Sequence, residues 1–273
     1  MKRWAFLTWL VIYGCNPSND SSQKNGNAAI DSATATANMD SGLMITLPTP
    51  MQVPTLLKTS RADYRREAML PIVNQEKSFF KSNLLFGAYL IDMAYAGAFQ
   101  DQQTALVYLK KCNRLAIDMG LGTEVDEDLV NRFERHIDKP DTIGRIILEL
   151  YELGHAQFAQ SGREGIGLIM IMGCVMEGVH LSINELSERD LIQFSLLVEQ
   201  QIHYIDNLIL ALDEYEIPLE ITREFEILQD LSYELNAMKT VEIVDGERRI
   251  HVNPRSLKRL KTLVNEFRLS ILV

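Results

Sequence analysis

Residues 165–176 read GIGLIMIMGCVM, twelve in a row without a charge. A helix that is apolar on every side has to be buried. Twelve such residues are too few to cross a hydrocarbon core, which takes about 20. The run therefore calls for a soluble fold with enough neighbouring helices to surround it. Gly165, Gly167 and Gly173 interrupt it. Each weakens a helix by about 1 kcal/mol relative to Ala, a cost tolerated where another helix has to come close.

The rest of the chain supplies the neighbours. Leu84, Ala88, Ile91, Tyr95 and Ala98 fall on one face of a 3.6-residue period. Ala105, Leu109, Cys112 and Ala116 align a second helix over 104–119, which Gly120 and Gly122 end. Further helices are predicted over 126–136, from Asp141 or Thr142 to about 160, over 164–181, 187–215 and 222–239, and from Pro254 or Ser256 almost to Val273. Pro48, Pro50 and Pro54 predict an extended lead-in, because each disfavours helix in the residue before it. Val241-Glu-Ile-Val and Arg249-Ile-His-Val alternate with period two around Asp245-Gly246, a strong hairpin signal. The expected fold class is all-α: one domain over 45–273, a multi-helix bundle of about eight helices with a small β-hairpin near residues 240–252.

The start of the chain carries an address. Lys2 and Arg3 precede an apolar stretch over 4–13, and Ile12-Tyr13-Gly14-Cys15 resembles the lipobox of bacterial lipoprotein precursors. A charged start, a short apolar core and a small residue before the cut mark a secretory signal peptide. The expectation is cleavage after Gly14 and lipid on the Cys15 sulfur, where two or more acyl chains give stable anchoring at roughly 0.8 kcal/mol per buried CH₂. Residues 16–41 are rich in Ser, Asn, Asp, Thr and Ala, too polar to fold alone. The stretch 15–44 is expected to be a disordered tether; its ~26 residues after Cys15 reach about 25–30 Å as a coil. Asn16 is not the Asp of an inner-membrane retention signal. The expected location is the outer membrane, lipid-anchored and facing the periplasm.

Composition narrows the partners. The chain has 27 Lys and Arg against 37 Asp and Glu, a formal charge of −10, and loss of Lys2 and Arg3 with the signal takes it to −12. Nucleic acid selects basic surfaces, so it is not expected as a partner. The expected partners are the membrane, through the lipid on Cys15, and an envelope protein. Cys112 and Cys174 would meet an oxidising compartment, which permits a disulfide. Both also sit in apolar helical patterns, where a free thiol packs as a small hydrophobe. No CxxC or zinc spacing is present.

Leu47-Pro-Thr-Pro, Phe86-Gly-Ala-Tyr-Leu-Ile-Asp-Met-Ala-Tyr-Ala, Arg132-Phe-Glu, Met176-Glu-Gly and Leu257-Lys-Arg-Leu resemble a family of uncharacterised all-helical bacterial lipoproteins. Its members pair a lipobox with one α-helical domain. The resemblance implies a fold and a compartment and brings no reaction with it.

Two Glu-x-x-His pairs occur, Glu152 with His155 and Glu177 with His180. Residues three apart share a helix face, and di-iron bundles use this motif from two helices with one further Glu from each of two others. Asp92 and Glu199 would be the remaining carboxylates, with His203 one turn after Glu199. Two such matches among eight helices are readily supplied by chance. In the resembled family, positions like His155 and His180 usually hold other residues. No metal and no cofactor are therefore assigned. Asp92, beside the main apolar face, and Glu177, at the end of the uncharged run, are the more informative pair. A buried carboxylate must be paired or hydrogen-bonded, and Arg132, Arg145, Tyr89 and Tyr95 are the candidate partners. The candidate set is thus Asp92, Tyr95, Arg132 and Glu177, read first as a buried polar network that sets helix register and second as a ligand site.

The leading expectation is a membrane-anchored lipoprotein whose helical periplasmic domain is a non-enzymatic binding or envelope-assembly module. A small-molecule binding protein with a polar pocket near Asp92 and Glu177 is the alternative, and a carboxylate–histidine metalloenzyme the third. Enzymatic activity stays open, with a non-enzymatic role favoured.

Overall fold

A helix apolar on all sides can be placed only by surrounding it, and residues 167–183 are buried throughout. In the computed structural model of the chain, the described residues are 35–38, 44–75, 77–121, 127–136, 139–160, 162–185, 192–237, 241–244, 247–250 and 254–273. They belong to one compact unit, Ser32–Val273. The expected signal peptide, Cys15 and most of the tether lie outside them.

Among the described residues nine α-helices pack together: α1 Gln52–Thr59, α2 Phe79–Ala98, α3 Gln102–Asp118, α4 Glu127–Arg135, α5 Pro140–Gln160, α6 Glu164–Glu185, α7 Ile192–Leu212, α8 Thr222–Ala237 and α9 Pro254–Leu272. Eight match the helices expected from periodicity. The ninth, α1, replaces the extended lead-in read from the prolines. Pro54 is its third residue, and in a first turn the backbone N–H has no intrahelical partner to lose.

The helix α6 is the axis of the fold. It packs on α2, α5, α7, α9 and α1, while α2 also holds α3. The stretch Glu164–Asn184 is in fact long and apolar enough to cross a membrane, yet 94% of its most apolar window is buried inside the fold. The twelve-residue count stopped at Glu177, but Gly178, Val179, His180 and Leu181 continue the buried course. What marks α6 as a core helix is its surroundings and not its length.

Two glycines set how α6 meets α2. A Cβ on Gly87 would lie 1.9 Å from the Met170 carbonyl oxygen, and one on Gly173 would lie 2.1 Å from that of Leu84. The two backbones therefore touch, as the glycines in the apolar run led one to expect for Gly173. The Cys174 thiol donates to the Gly87 carbonyl at 3.2 Å in the same seam. Cys112 and Cys174 are both free and buried.

Polar ends position the helices. Ser78 caps α2 by accepting from Lys81 N, and Asp101 caps α3 by accepting from Thr104 N. Gly120, at φ +70°, carries the chain out of α3. Two short antiparallel ladders complete the unit. In the first, β1 Ala35–Asn38 pairs with β2 Met44–Leu47. The strand β1 begins at Ala35, within the stretch 15–44 expected to be a tether. In the second ladder, β3 Val241–Val244 pairs with β4 Glu247–Ile250, with Val244 opposite Glu247. This is the hairpin expected around Asp245-Gly246, with a second strand that starts two residues earlier than the alternation indicated.

Candidate functional site

Between Ala62 and Val73 the chain runs as a strap over the helices, with one 3-10 turn at Arg66–Ala68. Such a segment cannot satisfy its own peptide groups, so they need partners elsewhere. Buried side chains from four helices provide them. The Tyr95 hydroxyl on α2 accepts from Arg65 N at 2.9 Å and donates to Asp63 O. On the same helix, Asp92 Oδ2 accepts from Leu70 N at 2.9 Å. The Tyr89 hydroxyl accepts from Val73 N and donates to Pro71 O, both at 3.1 Å. Tyr108 on α3 donates to Leu70 O at 2.6 Å. Arg268 on α9 donates through Nη2 to Ala68 O at 2.8 Å. At the outer edge Asp101 Oδ2 accepts from Tyr64 at 2.7 Å and from Arg66 Nη2 at 2.6 Å. Burial alone would raise the Asp101 pKa, but the bonds from Tyr64, Arg66 and Thr104 outweigh it and hold the carboxyl at about 2.

Beneath the strap lies the polar centre. Asp92 is 0% and Glu177 1% exposed. Arg268 Nε stands 3.0 Å from Glu177 Oε2, with its side chain 13% exposed. This contact is an ion pair by distance, and among the described residues neither of its two atoms makes a directed hydrogen bond. Burial raises both carboxyl pKa values. Asp92 goes up further because the Glu177 charge adds to burial, whereas Arg268 offsets part of the rise at Glu177, leaving it at about 7. Burial thus favours the neutral form of both carboxyls, and the Arg268 guanidinium beside Glu177 favours its carboxylate.

His180, one turn beyond Glu177 on α6, extends the cluster. Its Nε2 lies 2.9 Å from Ala68 O, 2.6 Å from Arg268 Nη1 and 3.0 Å from Asn184 Nδ2. One nitrogen cannot donate to the carbonyl and accept from the guanidinium together. In either tautomer the ring is neutral, because burial and then the Arg268 charge lower its pKa to about 3. The cleft that reaches this end, between His180, Asn184, Lys261 and Val264, holds about 30 Å³. That is room for a water molecule or two and not for an organic ligand.

The structure thus brings Asp92 and Glu177 together, as expected, and disperses their expected partners. Tyr95 serves the strap at a different point. Arg132 sits on α4 and donates from Nη2 to Glu149 on α5 at 2.8 Å. With Arg145 it lines a separate cleft, so neither arginine is the counter-ion of the carboxyl pair. That role falls to Arg268, which sequence reasoning missed, as it missed His180 as a member of the network. A signal existed: Arg268 lies between Val264, Phe267 and Ile271 on the buried face of α9, the place where an arginine needs a carboxylate.

The motif Glu177-x-x-His180 is occupied by the guanidinium, which stands where a cation would have to sit. Among the described residues no group of three His, Cys, Asp and Glu could hold a metal ion. In the second motif Glu152 is exposed, and the side chains of His155 and Glu199 lie outside the described residues. A second buried ion pair, Lys81 with Glu224, joins α2 to α8, and Lys81 also donates to Ser270 O at 2.8 Å.

Comparison with protein-family profiles, curated proteins and solved structures returned no match.

Proposed function

We propose that this chain is a lipid-anchored bacterial envelope protein whose helical domain is a binding module and not an enzyme. The lipobox-like Ile12-Tyr13-Gly14-Cys15 behind a charged, apolar leader supports the anchor. The observation that carries the rest is the closure of the Asp92–Glu177–Arg268 cluster. A carboxyl near pKa 7 would suit a general base, but Glu177 is 1% exposed and lies under a strap fastened by side chains of α2, α3, α6 and α9. Its partners hold backbone in place and present nothing to a substrate. In this reading the cluster is the polar lock of the domain, the surface clefts do the binding, and the family resemblance and an outer-membrane, periplasm-facing location go with it.

The test is mass spectrometry of the mature N-terminus together with membrane fractionation, for the wild-type chain and for Cys15→Ala. A diacylated or triacylated peptide beginning at Cys15, with Cys15→Ala released from the membrane, is the expected result. A mature chain that starts elsewhere, or an unmodified Cys15, rejects the anchor.

A further inference from the structure

Asp92 on α2 and Glu177 on α6 are both buried beneath the strap. Leu70 N donates to Asp92 Oδ2, and among the described residues Asp92 Oδ1 has no donor. Neither Glu177 oxygen receives a directed hydrogen bond. The Arg268 guanidinium is already engaged elsewhere. Its Nη2 donates to Ala68 O and its Nη1 meets His180 Nε2, so only Nε, 3.0 Å from Glu177 Oε2, faces a carboxyl group. Yet the two carboxyl groups stand within hydrogen-bonding reach of each other. Ionised carboxylates only accept, so two of them cannot bond to one another. Buried acceptors left in this way call for a partner.

We propose that Asp92 and Glu177 hold one proton between them, donated by Asp92 Oδ1 and accepted by Glu177, and that this proton makes the α2–α6 joint sensitive to alkaline pH. With Asp92 neutral, the Glu177 and Arg268 charges cancel in the buried cluster; with both carboxyls ionised, a second negative charge would be buried against one guanidinium. The proton falls to Asp92 because the Arg268 contact favours the ionised form of Glu177. The other titratable groups leave this balance in place. Tyr89 on α2 and Tyr108 on α3 donate to the strap at Pro71 O and Leu70 O, and burial raises the Cys112 thiol on α3. His180 on α6 is kept neutral by burial, Arg268 and, from α9, Lys261. Of the remaining elements packed on α6, Tyr151 of α5 donates to Pro48 O, Tyr204 of α7 bonds Gln52, Lys58 of α1 is exposed, and Arg66 of the strap bonds Asp101. A carboxyl whose pKa is raised by folding contributes stability at low pH and loses it as pH rises through the folded value. The joint therefore weakens on the alkaline side, where two carboxylates come to face one guanidinium. The inference rests on the reading of the cluster as the lock of the domain and not on the lipid anchor.

The experiment is infrared spectroscopy of the full chain in detergent at pH 8, where exposed carboxyl groups are ionised. A protonated-carboxyl carbonyl band that moves in heavy water is expected. Heavy carbon in the side-chain carboxyl of aspartate should shift it, and heavy carbon in that of glutamate should not, so the assignment does not depend on a variant that folds. Asp92→Asn, whose amide keeps one acceptor and one donor, is expected to lose the band. Glu149→Gln, at an exposed position, is expected to keep it. Raising the pH until the wild-type band disappears should lower the urea midpoint over the same range, with a smaller fall in Asp92→Asn. No band at pH 8, a band that follows the glutamate label or survives in Asp92→Asn, or a urea midpoint that stays level as the band disappears overturns the proposal. An absent band together with a large loss of stability in Arg268→Met overturns the shared proton and leaves the lock standing.

Discussion

Asp92 and Glu177 are two buried carboxyl groups, and among the described residues Arg268 forms an ion pair with Glu177 and not with Asp92. That difference predicts unequal responses to mutation. Burial disfavours the charged form of Asp92, so Asp92→Asn, which is neutral and keeps an acceptor for Leu70 N, should cost less than about 1 kcal/mol. Asp92→Leu strands that N–H and should cost about 1–3 kcal/mol. Arg268→Met removes the counter-charge of Glu177 found among the described residues and a donor to Ala68 O, with an expected loss of about 3–5 kcal/mol at pH 8. The loss should shrink at pH 5, where Glu177 takes up a proton. Urea denaturation of the three variants at both pH values checks all of this.

The same residues predict how stability follows pH. Glu177 titrates at 4.5 when unfolded and at about 7 when folded. Its contribution is complete below pH 4.5 and is lost as pH rises through 7. His180 runs the other way, from 6.5 unfolded to about 3 folded, so its contribution is complete above 6.5 and is lost as pH falls toward 3. The two slopes oppose one another between pH 4.5 and 6.5. Glu177→Gln should therefore leave a shallower fall toward alkaline pH, carried by the raised pKa of Asp92, and His180→Asn should flatten the acid side of the profile between pH 4 and 6.5. Urea midpoints taken from pH 4 to 8 that keep the wild-type shape in both variants would reject the assignment.

At the scale of elements, the seam between α2 and α6 is the contact on which the bundle depends. The glycines there are required by space and not by backbone angle. Gly87→Ala or Gly173→Ala drives a methyl into backbone of the facing helix. Backbone cannot rotate aside as a side chain can, so the cost should reach or exceed the upper end of ordinary overpacking, about 3 kcal/mol. Gly120 gives the contrasting case, with open space around its missing Cβ but φ at +70°. Gly120→Ala should cost only the left-handed penalty of about 1–2 kcal/mol. Thermal denaturation of the three variants separates the two causes. Eight of the helices were legible because a 3.6-residue period is written in each segment alone. The helix α1 was not, because proline is read against helix unless its place in the first turn is known. The strap was not legible either, since residues 62–73 make their hydrogen bonds with helices far along the chain.

At the scale of the molecule, burial of both thiols decides a question the spacing left open. Cys112 and Cys174 are free, and burial raises both pKa values well above the ordinary thiol range. Neither should react with maleimide in the native state. On unfolding, an acylated chain should expose two thiols, and a chain with unmodified Cys15 would show three. Mass shifts after labelling with and without denaturant therefore check the core and the anchor together. A native chain that labels rapidly at Cys112 or Cys174 would mean that the core opens in solution.

The sequence alone determined what depends on neighbours along the chain. It marked the helical periods, the alternation on either side of Asp245-Gly246 and the uncharged run that had to be enclosed. It also picked Asp92 and Glu177, because a carboxylate on an apolar face is conspicuous wherever it packs. Only the tertiary structure decided who meets them. Arg268 comes to Ala68 across 200 residues of chain, while Arg132, the expected partner, turns to Glu149 across 17. Local pattern fixes which face of a helix is buried. Which helix covers that face depends on shape and charge that several segments share, and no single segment carries that information. For the run at 165–176, enclosure was demanded by composition; the contact of its backbone with α2, through two glycines, was settled by packing.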